Sequence, residues 1–143
     1  MMKARGVAAA SATLAVAAVL VLPYCNVLFD CGCGWPWAGL TQHCNIHSQR
    51  SAVHCPWCQH PLAGTASILL AALFGAVVAF RGDARSRAGA GGQAGRTGSR
   101  RSRSAGLDLA VRTLAGVGAF LLVALAAGWL TAYLTGYPRF LSR

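Results

Sequence analysis

Three uncharged apolar stretches constrain the fold of this chain more than any other feature of its sequence. They run from Val7 to about Leu28, from Leu62 to Phe80 and from Thr113 to Leu134. Each has about the 20 residues that a helix needs to cross roughly 30 Å of hydrocarbon. Because lipid offers no partners for backbone N–H and C=O groups, such segments must be helical. Helices at the surface of a soluble core usually keep one polar face, and these stretches have none.

The sequence therefore predicts an all-α membrane protein with three transmembrane helices and a compact Cys/His/Trp-rich extracytoplasmic loop. The predicted segments are an N-terminal transmembrane anchor at 1–28, the Cys/His-rich loop at 29–61, the second transmembrane helix at 62–80, a disordered Arg/Gly/Ser-rich linker at 81–106, the third transmembrane helix at 107–136 and a short tail at 137–143. The first span is predicted to be an uncleaved anchor, because no clear A-x-A cleavage signal follows it.

The positions of the basic residues predict the orientation of the chain in the membrane. Ten of the 13 Lys and Arg residues lie before the first span, in the linker or at the start of the third span. The loop has only Arg50, and the tail has Arg139 and Arg143. Since Lys and Arg concentrate on the cytoplasmic side, we expect a cytoplasmic N-terminus and linker in the cell membrane, with the loop and tail outside.

The charged residues also exclude several functions. The chain has no glutamate, and its three aspartates lie far apart in the sequence, which argues against paired-carboxylate catalysis. There is no nucleotide-binding loop, so a non-enzymatic role is favoured. The linker arginines have no interleaved aromatic residues to stack bases, so we expect no nucleic acid partner. The expected partners are the lipid bilayer and either another membrane protein or a second copy of the chain.

Smaller patterns predict how the spans pack. Asp108 and Arg112 are four residues apart and can pair on one helix face. Small residues at four-residue spacing predict close helix contacts. These are Ala71, Gly75 and Ala79 in the second span, and Ala115, Ala119, Ala124 and Gly128 in the third. The aromatic residues Trp129, Tyr133 and Tyr137 are typical of an interfacial belt.

The loop concentrates the residues that can carry chemistry. It contains all four histidines and five of the six cysteines, and Cys25 lies just before it. The donors form three short pairs, each able to direct two side chains at one ion. The pairs are C-x-C at Cys31 and Cys33, C-x2-H at Cys44 and His47, and C-x2-C at Cys55 and Cys58.

These pairs predict a metal site. The first choice of ligands is Cys31, Cys33, Cys55 and Cys58, whose spacing resembles a zinc ribbon. The second choice combines Cys44 and His47 with Cys55 and Cys58, and His54 is an additional candidate ligand. Thiolate and imidazole donors together suit Zn or Cu, in one or more ions, and two such pairs are the usual pattern for zinc.

Two other interpretations remain open. Cysteines outside the cytoplasm tend to oxidise, so the loop could be stapled by structural disulfides. Alternatively, Cys55-Pro56-Trp57-Cys58 resembles the C-P-x-C active site of thiol–disulfide oxidoreductases, although no βαβ pattern surrounds it. The favoured hypothesis is a small membrane protein that binds Zn or Cu through the loop. It would act as an accessory or structural subunit of a membrane complex, or as a metal-handling protein.

Overall fold

Three long helices account for most of the chain. A computed structural model describes residues 2–31, 54–88, 98–138 and 140–141. Within these ranges the chain forms α1 (Met2–Phe29), α2 (Pro56–Gln59), α3 (Pro61–Ala88) and α4 (Gly98–Thr135), and no strand. Three segments are long and apolar enough to cross a membrane: Ala4–Phe29, Pro61–Arg81 and Gly106–Thr135. For the described residues, the prediction of an all-α chain with three helices long and apolar enough to span a membrane is therefore confirmed, whereas its orientation stays a prediction.

The two later helices extend beyond their predicted spans. Helix α3 continues to Ala88, and α4 already begins at Gly98. The predicted disordered linker at 81–106 thus has helical backbone at both ends, and only 89–97 lie outside the described residues. Ala and Arg are among the best helix formers. A helix that is stabilised by packing of its apolar segment can therefore extend into the linker residues beside it.

The helices pack along stripes of small residues spaced four apart. Ala71, Gly75 and Ala79 of α3 are all buried, as predicted. On α4, Ala124 and Gly128 are buried but Ala115 is exposed, so that part of the predicted stripe is wrong. From residue 106 to the end of α4, the buried positions are Arg112, Gly116, Phe120, Ala124, Gly128 and Ala132. This stripe includes Arg112, which pairs with Asp108 at 2.8 Å as predicted.

Two glycines lie at close contacts between the three helices. A Cβ placed on Gly75 would lie 2.6 Å from the carbonyl oxygen of Gly116. A Cβ on Gly116 would lie 2.7 Å from the Thr13 hydroxyl of α1, which itself donates a 2.9 Å hydrogen bond to the Ala9 carbonyl. Since only glycine leaves room here, these positions set the distance between the helix axes.

An aromatic cluster closes the bundle at the end of α1. The ring of Phe29 meets the rings of Trp57, Tyr137 and Phe140 with centroids 5.2, 5.6 and 5.8 Å away. The indole N–H of Trp57 donates to the Thr131 hydroxyl at 3.3 Å. Through these contacts the end of α1, the short helix α2, the end of α4 and the C-terminal residues all meet at one end of the bundle.

Candidate metal centre

Three buried thiols converge at this end of the bundle. The Sγ atom of Cys25 lies 3.8 Å from that of Cys31 and 3.7 Å from that of Cys55. All three sulfur atoms lie within 4.8 Å of one another, and all three residues are buried. Soft thiolates in such a group are ligands for Zn, Cu(I) or iron–sulfur clusters. The cluster of Cys25, Cys31 and Cys55 can therefore hold a metal ion.

Cys25 reaches the cluster because it continues the buried stripe of α1. Ala9, Thr13 and Ala17 are buried at four-residue spacing on this helix, and Cys25 lies eight residues further along. Residues four apart lie above one another on one helix face. Cys25 consequently faces the other helices from the last turn of α1, inside the segment that is long and apolar enough to span a membrane.

Cys31 returns to Cys25 because the chain turns sharply after α1. Asp30 has a φ of +47°, and its N–H donates to the Asn26 carbonyl at 2.8 Å. A left-handed residue immediately after a helix is a common way to end it, and Asp tolerates this conformation better than most residues. The turn leaves Cys31 only 1% exposed beside the helix that it follows.

Cys55 is positioned by the short helix α2. It is the N-cap residue, and its carbonyl accepts hydrogen bonds from the N–H groups of Cys58 and Gln59 at 3.0 and 2.9 Å. Pro56 favours this start, because its fixed φ suits the first helical position. The turn rests directly on α3, since a Cβ on Gly64 would lie 2.7 Å from the Trp57 carbonyl oxygen.

The neighbouring thiols favour the ionised form of Cys55. The hydrogen bond from the Cys25 thiol lowers the pKa of Cys55 most, and those from Cys31 and Cys58 lower it further. The backbone N–H of Cys58 lowers this pKa as well, while burial opposes the shift. Because the thiolate is the form that binds metals, the lowered pKa of Cys55 suits this residue to metal binding.

Cys58 supplies a fourth thiol beside the cluster. Its side chain interacts with the Cys55 sulfur, and it is half-buried, whereas the cluster cysteines are buried. Together the four thiols match the number that a structural zinc site requires. They come from two short segments, one at the end of α1 and one just before α3.

The predicted ligands fall into three groups. Cys31 and Cys55 belong to the cluster, and Cys58 lies next to it. His54 is half-buried before Cys55, and among the described residues it is not part of the three-thiol group. The remaining candidates, Cys33, Cys44 and His47, lie outside the described residues.

Cys25 is a member of the thiol cluster that the loop spacings did not indicate. It lies in an apolar span six residues before Cys31, so it forms no C-x-C or C-x2-C pair. Small residues occur on every face of this span and Val21 interrupts the four-residue steps, so the sequence held no signal for Cys25. Its burial beside the other helices follows from the packing of α1.

The chain matches no known protein-family model, no curated protein and no solved structure.

Proposed function

We propose that this protein binds one zinc ion through the thiolates of Cys25, Cys31, Cys55 and Cys58, and that the ion joins the helix ends of a small membrane protein. The observation that carries the proposal is the spacing of the sulfur atoms. Zinc–sulfur bonds of about 2.3 Å in a tetrahedron give sulfur–sulfur distances of about 3.8 Å. The two measured distances from Cys25 are 3.7 and 3.8 Å.

The number of thiols within reach ranks copper second. A fourth thiol, that of Cys58, interacts with Cys55 beside the three-thiol cluster. Four thiolates are the full tetrahedral set of a structural zinc site, whereas a trigonal Cu(I) site uses only three. The loop donors Cys33, Cys44 and His47 remain candidates for a further ion.

The position of the site favours a structural role. The ion would connect the last turn of α1 with the turn that precedes α3. Helix α4 joins the same assembly through the bond between Trp57 and Thr131. Every long helix is thus held near the ion, which suits an accessory or structural subunit of a membrane complex. We place the site outside the cytoplasm, on the strength of the positive-inside rule.

A second candidate function is thiol–disulfide exchange by Cys55 and Cys58. The lowered pKa of Cys55 favours it, because exchange requires a thiolate. The accessibility of the pair counts against it. Cys55, the residue with the lowered pKa, has an exposed fraction of 0%, whereas Cys58 is partly exposed. A substrate disulfide would have to reach a buried sulfur atom.

Metal analysis of matched variants tests the proposal. The full chain is purified in detergent under reducing conditions, incubated with zinc, freed of excess metal and analysed by mass spectrometry for bound zinc. We expect Cys25→Ser to weaken zinc binding more than about 100-fold. Loss of a residue that only supports a ligand costs up to about 100-fold, and loss of a direct ligand should cost more. The control is Cys33→Ser, which should retain the ion.

Each other result has a distinct meaning. If Cys25→Ser retains zinc and Cys33→Ser loses it, the ligands are the set first predicted from the sequence, namely Cys31, Cys33, Cys55 and Cys58. If the unmodified chain binds no zinc and its cysteines are found in disulfides, the disulfide-stapled interpretation replaces the metal site. Labile disulfide formation confined to Cys55 and Cys58 would favour the oxidoreductase.

A further inference from the structure

The four thiols form a continuous path from the surface into a membrane-spanning segment. Cys58 is partly exposed and contacts Cys55. Cys55 is fully buried and lies 3.7 Å from Cys25 by their sulfur atoms. Cys25 in turn belongs to α1 and is 6% exposed. An oxidant that meets the exposed thiol can therefore act on the buried ones through successive sulfur–sulfur contacts.

We propose that oxidation by a hydroperoxide converts this cluster into a Cys25–Cys55 disulfide and thereby releases the metal. The inference rests on the proposed zinc site and adds a regulation to it. The cluster then has two states, one with metal-bound thiolates and one with a disulfide and no metal. A thiolate site outside the cytoplasm is exposed to oxidising conditions, so both states are chemically accessible.

The reaction proceeds in three balanced steps. The Cys58 thiolate attacks one oxygen of hydrogen peroxide, so that an S–O bond forms, the O–O bond breaks and hydroxide leaves. The Cys55 thiolate then attacks the Cys58 sulfur, forming a disulfide and expelling a second hydroxide. Finally the Cys25 thiolate attacks the Cys55 sulfur, and Cys58 leaves as a thiolate. Two thiolates have lost two electrons, and the peroxide with two protons has become two waters.

The metal is released because the disulfide removes two of its ligands. Only Cys31 and Cys58 would remain as thiolates, and a structural zinc site requires four ligands. The end of α1 nevertheless stays joined to the segment before α3, because the disulfide connects the same two segments that the ion connected. A Cys25–Cys31 disulfide, at a sulfur distance of 3.8 Å, would not make this connection.

Tryptic peptides distinguish a disulfide that joins the two segments from a disulfide within one segment. Cleavage after Arg5, Arg50 and Arg81 yields peptides 6–50 and 51–81, with no other Lys or Arg inside either one. Cys25 lies in the first peptide and Cys55 in the second, so their disulfide links the two peptides. A Cys55–Cys58 disulfide would stay within the second peptide.

The test uses the full chain in detergent, carrying Cys33→Ser and Cys44→Ser so that the remaining cysteines are the four proposed ligands. Zinc-loaded protein is titrated with hydrogen peroxide, the released zinc is measured with a chromogenic chelator, and free thiols are alkylated before digestion. We expect zinc release in proportion to the linked peptide pair, and recovery of zinc binding after reduction.

Two further variants identify which cysteine of peptide 6–50 forms the disulfide. Their peptides are analysed in metal-free protein, because each variant lacks one proposed zinc ligand. Cys25→Ser should lose the linked peptides, and Cys31→Ser should keep them. The inference is overturned if Cys25→Ser keeps the linkage, or if zinc leaves while only a disulfide within peptide 51–81 forms. If the unsubstituted chain binds no zinc, the proposed function fails. The linked peptides still test whether peroxide forms the Cys25–Cys55 disulfide.

Discussion

The hydroxyl of Tyr137 donates a 2.6 Å hydrogen bond to the carbonyl oxygen of Phe29, 108 residues earlier in the chain. A second bond, from the Leu141 N–H to the Leu28 carbonyl at 2.9 Å, joins the same segments. The last carbonyls of a helix have no partner within it, so both contacts satisfy groups that α1 leaves open. The residues after α4 thus cap the helix that carries Cys25.

Removing the Tyr137 hydroxyl should destabilise the protein. We expect Tyr137→Phe to lower the free energy of unfolding by about 1 kcal/mol, the usual net value of such a bond. Thermal unfolding of the detergent-solubilised chain measures the effect. Tyr133→Phe is the control, because Tyr133 is 73% exposed and should tolerate the change. Equal stability of the two variants would contradict a capping role for the tail.

Enlarging Gly116 should separate the helices. A methyl group there would lie 2.7 Å from the Thr13 hydroxyl and 2.8 Å from the Gly75 carbonyl oxygen. We expect Gly116→Ala to cost about 1–3 kcal/mol through overpacking, visible as a lower unfolding temperature. Gly118→Ala, on the same helix with nothing within 4 Å of the added carbon, should be neutral or slightly stabilising. Similar losses in both variants would argue against the close contact.

The conformation of Asp30 should control the placement of Cys31. Its φ of +47° suits glycine but is strained for a β-branched residue. Asp30→Gly should retain zinc binding, whereas Asp30→Val should weaken zinc binding by roughly tenfold, because about 1–2 kcal/mol of strain must be overcome. Competition with a chelator of known zinc affinity measures both variants. A Val variant with unchanged affinity would show that the turn does not position the thiol.

Removing the metal should destabilise the helix ends. A ligand that binds only the folded state at 100 times its Kd stabilises by about 2.7 kcal/mol. A strong chelator should therefore lower the unfolding temperature of the zinc-loaded chain, and added zinc should restore it. The Cys25→Ser variant should not respond to either treatment. A chelator effect of equal size in this variant would place the ion elsewhere.

The metal-free, reduced protein should depend on pH through Cys55. Its pKa is lowered in the folded state, chiefly by the hydrogen bond from Cys25, so the folded state favours the thiolate. The resulting stability is complete above about pH 8.5, the ordinary thiol pKa, and is lost as the pH falls towards the lowered pKa of Cys55. Unfolding measured across this range should show the slope in the unmodified chain, and Cys55→Ser should flatten it.

The amino-acid sequence alone determined the three spans. Charge-free stretches of about 20 residues leave the backbone one way to cross lipid, and the helices α1, α3 and α4 contain them. The pair of Asp108 and Arg112 was also predictable, because residues four apart on a helix always lie close together. Both are local properties, in which the relevant partners are near neighbours in the chain.

Only the tertiary structure decided which thiols meet. Spacing within the loop favours Cys31 and Cys33 as a pair, yet the described cluster unites Cys31 with Cys25 and Cys55. That grouping depends on the face that α1 buries, on the turn at Asp30 and on the packing of α2 against α3. The turn at Asp30 and the packing of α2 on α3 are local, but the face that α1 buries is set by helices far apart in sequence, and so is the meeting of Cys25 with Cys55. Residue spacing carries little information about such long-range contacts. The same holds for the tail, where seven terminal residues gave no sign that Tyr137 would cap α1.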